Sequence, residues 1–130
     1  MSALRTTTTG TRQASEASSG LVEISNAMVA LYKEVFGRGP TKTRARFAGA
    51  DTLVVLLENT LTVAERNLVA LGEHARVCEE RLLLQLAFED LKRSEIERIL
   101  ARRTVAWVCG FDPRHDLATE ICTLEPTPPA

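Results

Sequence analysis

The stretch Thr41-Lys42-Thr43-Arg44-Ala45-Arg46-Phe47-Ala48-Gly49-Ala50-Asp51-Thr52-Leu53-Val54-Val55-Leu56-Leu57-Glu58 decides the fold class. Its first half alternates: Lys42, Arg44 and Arg46 fall on one side, Thr43, Ala45 and Phe47 on the other. A period of two describes a strand, here with a basic outer face. Ala48 to Asp51 supplies a turn, and Thr52 to Glu58 is a second strand rich in leucine and β-branched residues. The two are expected to pair as an antiparallel hairpin.

Working outward, the pattern before this hairpin is helical. Leu21, Ile24, Met28, Leu31 and Val35 recur at steps of three and four, and Tyr32 and Phe36 widen the stripe. Gly37 is the expected stop, and Gly39-Pro40 prevents continuation. After the hairpin, Thr62-Val63-Ala64-Glu65 fits a capping box, and a helical pattern runs to about Leu91. A second box, Ser94-Glu95-Ile96-Glu97, is expected to open a short helix ending near Arg102 and Arg103, where cations suit the helix dipole. Thr104 to Cys109 reads as a strand, Phe111 to Asp116 as a turn cluster, and Leu117 to Leu124 as the return strand.

Two isolated hairpins are marginal in water. The expected fold is therefore α+β: two helix–hairpin units (αββ-α-αββ) forming one four-stranded antiparallel sheet, with helices on one face and a long central helix. Residues 21–125 make the single domain. Residues 1–20, rich in Ser, Thr and Gly, are expected to be a disordered leader, and 126–130 a Pro-rich tail.

The central helix is the awkward element. A helix over residues 62–91 would be about 45 Å long at ~1.5 Å per residue, whereas four strands give a sheet only about 19 Å wide. Ala64, Leu68, Leu71, Ala75, Cys78, Leu82 and Leu86 hold one apolar face, and Leu83, Leu84, Ala87, Phe88 and Leu91 add a nearly opposite one. Two apolar faces imply burial on two sides. The favoured expectation is a homodimer interface at Leu84, Phe88 and Leu91. The alternative is a break near Asp90, with the first helix covering the second face.

The chain has 130 residues, 45% of them apolar and 25% charged, and a formal net charge of −1. That balance argues against a general nucleic-acid binder. No apolar run approaches the ~20 residues of a membrane-spanning helix, and MSALRTTTTG lacks the apolar core of a secretory signal. Cys78, Cys109 and Cys122 are an odd number with no CxxC pair, so a cytoplasmic location without a disulfide framework is expected. His74 and His115 lie far apart in no metal-binding spacing. No metal, cofactor or catalytic residue is assigned.

Gly37-Arg38-Gly39-Pro40-Thr41-Lys42-Thr43-Arg44 is the most unusual local sequence, and Arg46 extends its cations along the strand. Free N–H groups in a glycine turn beside cations suit a carboxylate, phosphate or acidic side chain. GxxxxGK[ST] is absent, so this is not a P-loop. Arg38, Gly39, Lys42, Arg44 and Arg46 are the candidate ligand- or partner-binding residues. The same charges would also discourage edge-to-edge aggregation of a solvated strand. Residues 1–60 carry 7 basic and 5 acidic groups, a balance of +2, and 61–130 carry 9 and 12, a balance of −3. Asp112-Pro113-Arg114-His115-Asp116 gathers two acids and an imidazole, an arrangement open to acid–base chemistry beside a cleft and equally to a plain hairpin turn.

The run Ile24-Ser25-Asn26-Ala27-Met28-Val29-Ala30-Leu31-Tyr32-Lys33-Glu34, continuing through Val35-Phe36-Gly37-Arg38-Gly39-Pro40-Thr41-Lys42, resembles the MpsC-like domain family. Leu53 to Glu58, Leu61-Thr62 and Ala64-Glu65-Arg66 resemble that family's second block. The resemblance spans 21–125, although the final hairpin and long helix match in pattern only. It implies a small bacterial domain associated by name with a sodium-translocating, membrane-potential-generating system, and it brings no catalytic residues. The expected function is a non-enzymatic accessory or regulatory binding module, cytoplasmic or peripheral to the membrane, with a protein partner. A small-anion or nucleotide sensor at Gly37–Arg46 and a small enzyme at Asp112–Asp116 are the alternatives.

Overall fold

The computed structural model describes residues 20–126, so the leader and tail expectations lie outside the described residues except at their inner ends, Gly20 and Pro126. The chain runs α1 (20–36), β1 (Lys42–Phe47), β2 (Thr52–Glu58), α2 (Val63–Ala70), α3 (His74–Ala87), α4 (Glu89–Leu100), β3 (Thr104–Asp112) and β4 (Leu117–Leu124). The four strands form one antiparallel sheet in the order β1-β2-β4-β3. The fold class is α+β, and the two hairpins join through β2 and β4.

Alternation sorts the sheet into two faces. Ala45, Leu53, Val55, Leu57, Ala118, Cys122 and Leu124 are buried and meet Ile24, Met28 and Tyr32 of α1 together with Phe88 and Ile96. Lys42, Arg44 and Arg46 share the opposite face with Val54, Leu56 and Glu58, their cross-strand partners. Register is strongly specified, because a one-residue slip would turn the whole apolar set to solvent.

The long central helix is not one helix. α2 ends at Ala70 with Leu71 as its cap, and Gly72 adopts φ +84°, which a side chain rarely tolerates. Gly72 N donates to Val69 O at 2.9 Å and Glu73 N to Leu68 O at 2.9 Å. That pair of bonds is a Schellman stop. A second bend falls at Phe88 (φ −114°, ψ 19°), between α3 and α4. Two breaks let the segment fold back over a small sheet, which removes the overhang.

The expected helix start at Ser94 is also corrected. Ser94 lies inside α4, which begins at Glu89, where Glu89 and Asp90 suit the helix N-terminus. Glu97 does not close a capping box. Its Oε2 instead accepts from Thr104 N at 2.9 Å and Thr104 Oγ1 at 2.8 Å, fastening the start of β3.

Candidate functional site

The inward face of α3 and α4 is Val77, Arg81, Gln85, Phe88, Lys92 and Ile96, a helical spacing that sequence hydropathy does not reveal. Arg81 and Lys92 are 0% exposed, whereas Leu83 and Leu86 are 67% and 66% exposed. Charges point in and leucines point out. Buried charges are tolerable only when paired and hydrogen-bonded, and both are. Lys92 Nζ donates to Glu120 Oε1 at 2.8 Å and Gln85 Oε1 at 2.6 Å, and lies 4.3 Å from the Phe88 ring centroid. Gln85 Nε2 donates to Tyr32 Oη at 2.7 Å, and Tyr32 Oη donates to Glu120 Oε2 at 2.7 Å. Trp107 Nε1 completes the set by donating to Glu120 Oε1 at 2.9 Å. Burial, then the Glu120 charge, pushes the Tyr32 hydroxyl well above its ordinary pKa, so it stays a neutral donor.

A second cluster ties α3 to the start of α2. Thr62 and Glu65 form the expected capping box. Glu65 also receives Arg81 through Nε at 2.7 Å and Nη2 at 2.6 Å, a bidentate pair. Arg81 Nη2 reaches Thr60 O at 2.5 Å, and the guanidinium stacks 3.9 Å from the Phe36 ring centroid. Burial raises the Glu65 pKa, but the bonds from Arg81 and from Thr62 N–H outweigh it and hold the carboxyl below its ordinary value. Arg81, Gln85, Lys92 and Glu120 of these clusters are buried.

The surface candidates divide. Lys42, Arg44 and Arg46 are all exposed on one face of β1, as their spacing requires. Glu58 Oε2 lies 3.8 Å from both Lys42 Nζ and Arg44 Nη2. That separation is too long for a hydrogen bond, so these exposed pairs are weak and their cations stay available. Arg46 Nη1 donates to Ala45 O at 2.9 Å. Arg38 does not join the row: its Nη1 donates to Leu61 O at 2.8 Å, which ties the α1–β1 turn to the loop before α2. Gly39 is a packing residue, since an added Cβ would sit 3.1 Å from Val29 Cγ1 and 3.2 Å from Val29 O. The turn is therefore packed against α1 at Gly39, while Gly37, at φ +84°, faces open space.

Beside the row, the free side of β1 and the first turns of α1 enclose a groove of about 400 Å³, lined by Leu21, Val22, Ser25, Asn26 and Thr43 to Arg46. Of the proposed dimer residues, Leu84 and Leu91 are exposed, but Phe88 is 3% exposed and packs edge-on to Tyr32 and Phe36 within its own chain. Phe88 is thus corrected from interface to core, and the exposed leucines of α3 and α4 are Leu83, Leu84, Leu86 and Leu91.

The Asp112–Asp116 residues serve the turn. Asp112 Oδ1 accepts from Arg114 N and His115 N, and Asp112 Oδ2 lies 2.9 Å from His115 Nδ1. The contact with His115 holds the Asp112 carboxyl below its ordinary pKa. Asp116 turns away, accepting from Thr60 N at 2.8 Å and Leu61 N at 3.2 Å. The structure does not bring the two acids together around the imidazole. Burial raises the Cys109 thiol and pushes that of Cys122 up to about 11, which suppresses thiolate at neutral pH. Among the described residues, no three His, Cys, Asp or Glu side chains are grouped to hold a metal ion, and no helix is long and apolar enough to cross a membrane.

No curated protein and no solved structure shows a significant match to the chain. A family model does match, over residues 19–126, and its description reads Na+-translocating membrane potential-generating system (MpsC). With nearly the whole fold inside that span, from α1 to β4, the chain belongs to the MpsC family.

Proposed function

We propose that this chain is a non-enzymatic accessory module of the membrane-potential system for which its family is named, and that it docks an acidic protein partner on the Lys42, Arg44 and Arg46 face. The observation that carries the reading is the contrast in how cations are used. Arg81 and Lys92 are consumed by buried partners, whereas the three cations of β1 stand in solvent with one carboxylate among them at 3.8 Å. A row this short acts within a Debye length of ~8 Å at physiological salt. It therefore suits a defined acidic surface better than long-range capture of nucleic acid.

The test is affinity capture from the native host with membranes intact, comparing the wild-type chain with Lys42→Ser/Arg44→Ser/Arg46→Ser. The variant should lose the partner, and wild-type capture should weaken as salt rises. Equal capture by both would reduce the row to a solvated strand face and defeat the proposal.

The exposed leucines of α3 and α4 favour a second contact, between two copies of the chain. Single exposed apolar residues are ordinary, but Leu83, Leu84, Leu86 and Leu91 fall within nine residues on adjoining helices. Sedimentation should show a dimer at micromolar concentration, and Leu84→Glu/Leu91→Glu should give a folded monomer. A wild-type monomer at high concentration would sink this contact.

A further inference from the structure

β1 is an edge strand, bonded to β2 alone within the sheet. Ala48 N donates to Thr52 O at 2.9 Å, which makes 48/52 a hydrogen-bonded pair. Such pairs alternate along an antiparallel ladder, so 46/54 and 44/56 are hydrogen-bonded pairs too. The backbone N–H and C=O groups of Thr43, Ala45 and Phe47 consequently point away from β2, out of the sheet edge. The Arg46 guanidinium on the Ala45 carbonyl agrees with that direction. The groove between this edge and α1 runs along Thr43 to Arg46, and Thr43 Oγ1 in its wall has no hydrogen-bond partner among the described residues.

Apart from the Ala45 carbonyl, which Arg46 meets, these outward edge groups are a template for another strand. The side chains beside them set which strand fits. On the open face, an added strand would lie next to Lys42, Arg44 and Arg46, where opposite charges are favoured as cross-strand neighbours. Three cations less Glu58 leave a surplus of two positive charges. On the helix side its residues would meet Leu21, Val22 and Ala45 beside Ser25 and Asn26, which suits small side chains, apolar ones against Leu21 and Val22. A second β1 would bring cations against cations, so pairing between two copies of this edge is disfavoured.

From this we infer that the partner supplies an extended segment of alternating acidic and apolar residues, which adds to β1 as a fifth strand in the α1–β1 groove. The inference rests on the proposed docking of an acidic partner and specifies how it is done. Backbone bonds along the edge provide affinity, and alternate side chains provide selection.

The probe is a capped peptide alternating Glu and Val, as long as the six residues of β1, titrated into the isotopically labelled full chain. Binding should slow amide exchange at Thr43, Ala45 and Phe47, and Arg44→Ser/Arg46→Ser should weaken it about tenfold, two cross-strand charge pairs at ~0.7 kcal/mol each. The same peptide N-methylated at alternate residues cannot complete the ladder and should not bind, nor should an alternating Lys-Val peptide. Equal binding of the methylated and unmethylated Glu-Val peptides, with no change at the edge amides, would overturn strand addition while leaving docking on the basic face intact. The same division holds if the peptide fails to bind but the triple serine variant still loses the native partner. If the peptide fails and that variant retains the partner, the docking proposal falls as well.

Discussion

On β3, the carbonyls of Val105 and Phe111 accept from Arg93 Nη1 at 3.2 Å and Cys78 Sγ at 3.5 Å, side chains of the helices packed against that strand. On β1, at the other edge of the sheet, the Ala45 carbonyl meets the guanidinium of the very next residue, and a groove separates the strand from α1. One side of the molecule is fastened by elements distant in sequence, down to the buried Lys92–Glu120 pair beneath β3 and β4. The other keeps its cations and part of its backbone facing outward. A small domain needs a locked core to fold, and the surface proposed here to bind lies at the opposite edge of the same sheet.

The contrast breaks first on the locked side. Lys92→Ala should cost about 3–5 kcal/mol, because it leaves Glu120 buried without its cation. Pairing it with Glu120→Gln should recover part of that loss. Chemical unfolding checks both, as a lower midpoint with an unchanged slope.

A smaller effect belongs to Glu65. Its carboxyl is held below the ordinary value by Arg81 and Thr62 against the opposing effect of burial, so its contribution is fully present above the usual carboxylate range and is lost as pH falls through the folded value. Glu65→Gln should cost about 2 kcal/mol at neutral pH and flatten the acid limb of a stability–pH profile. An unchanged acid limb would show that the Arg81 bridge does not set it.

Next to these, Lys42→Ser/Arg44→Ser/Arg46→Ser should alter stability by no more than about 0.5 kcal/mol while abolishing partner capture. Loss of stability comparable to that of Lys92→Ala would erase the distinction between the two sides. The smallest effect is expected at His115, whose side chain is 80% exposed. His115→Ala should leave both unfolding and partner capture unchanged, and a loss of either would restore a role to the turn.

The sheet was legible because β1 alternates with period two, β2 is a run of leucine and β-branched residues, and a turn cluster separates the last two strands, while the capping box at Thr62–Glu65 names its own helix start. The α3–α4 region was not, because its inward positions carry Arg81, Gln85 and Lys92, whose partners lie as far off as Tyr32 and Glu120. Hydropathy places leucines inward by default, and here that default is inverted. A signal was present: Glu120 occupies a core-facing register between Ala118 and Cys122, and an acid there requires a buried donor. Gly72 was the second signal, a stop inside an apparently continuous helical pattern. For the candidate site, the alternation of Lys42, Arg44 and Arg46 was readable directly. The diversion of Arg38 to Leu61 depends on a loop 23 residues away, and so does not show in local spacing.

Residue-resolved amide exchange of the free, full-length chain tests the division between the two sides most directly. Every strand residue of β2 lies between two hydrogen-bonded strands, whereas Thr43, Ala45 and Phe47 present their N–H groups away from β2. These three amides should exchange orders of magnitude faster than those of Leu53, Val55 and Leu57. Equal protection of both sets would mean that the β1 edge is already closed, and would contradict the account.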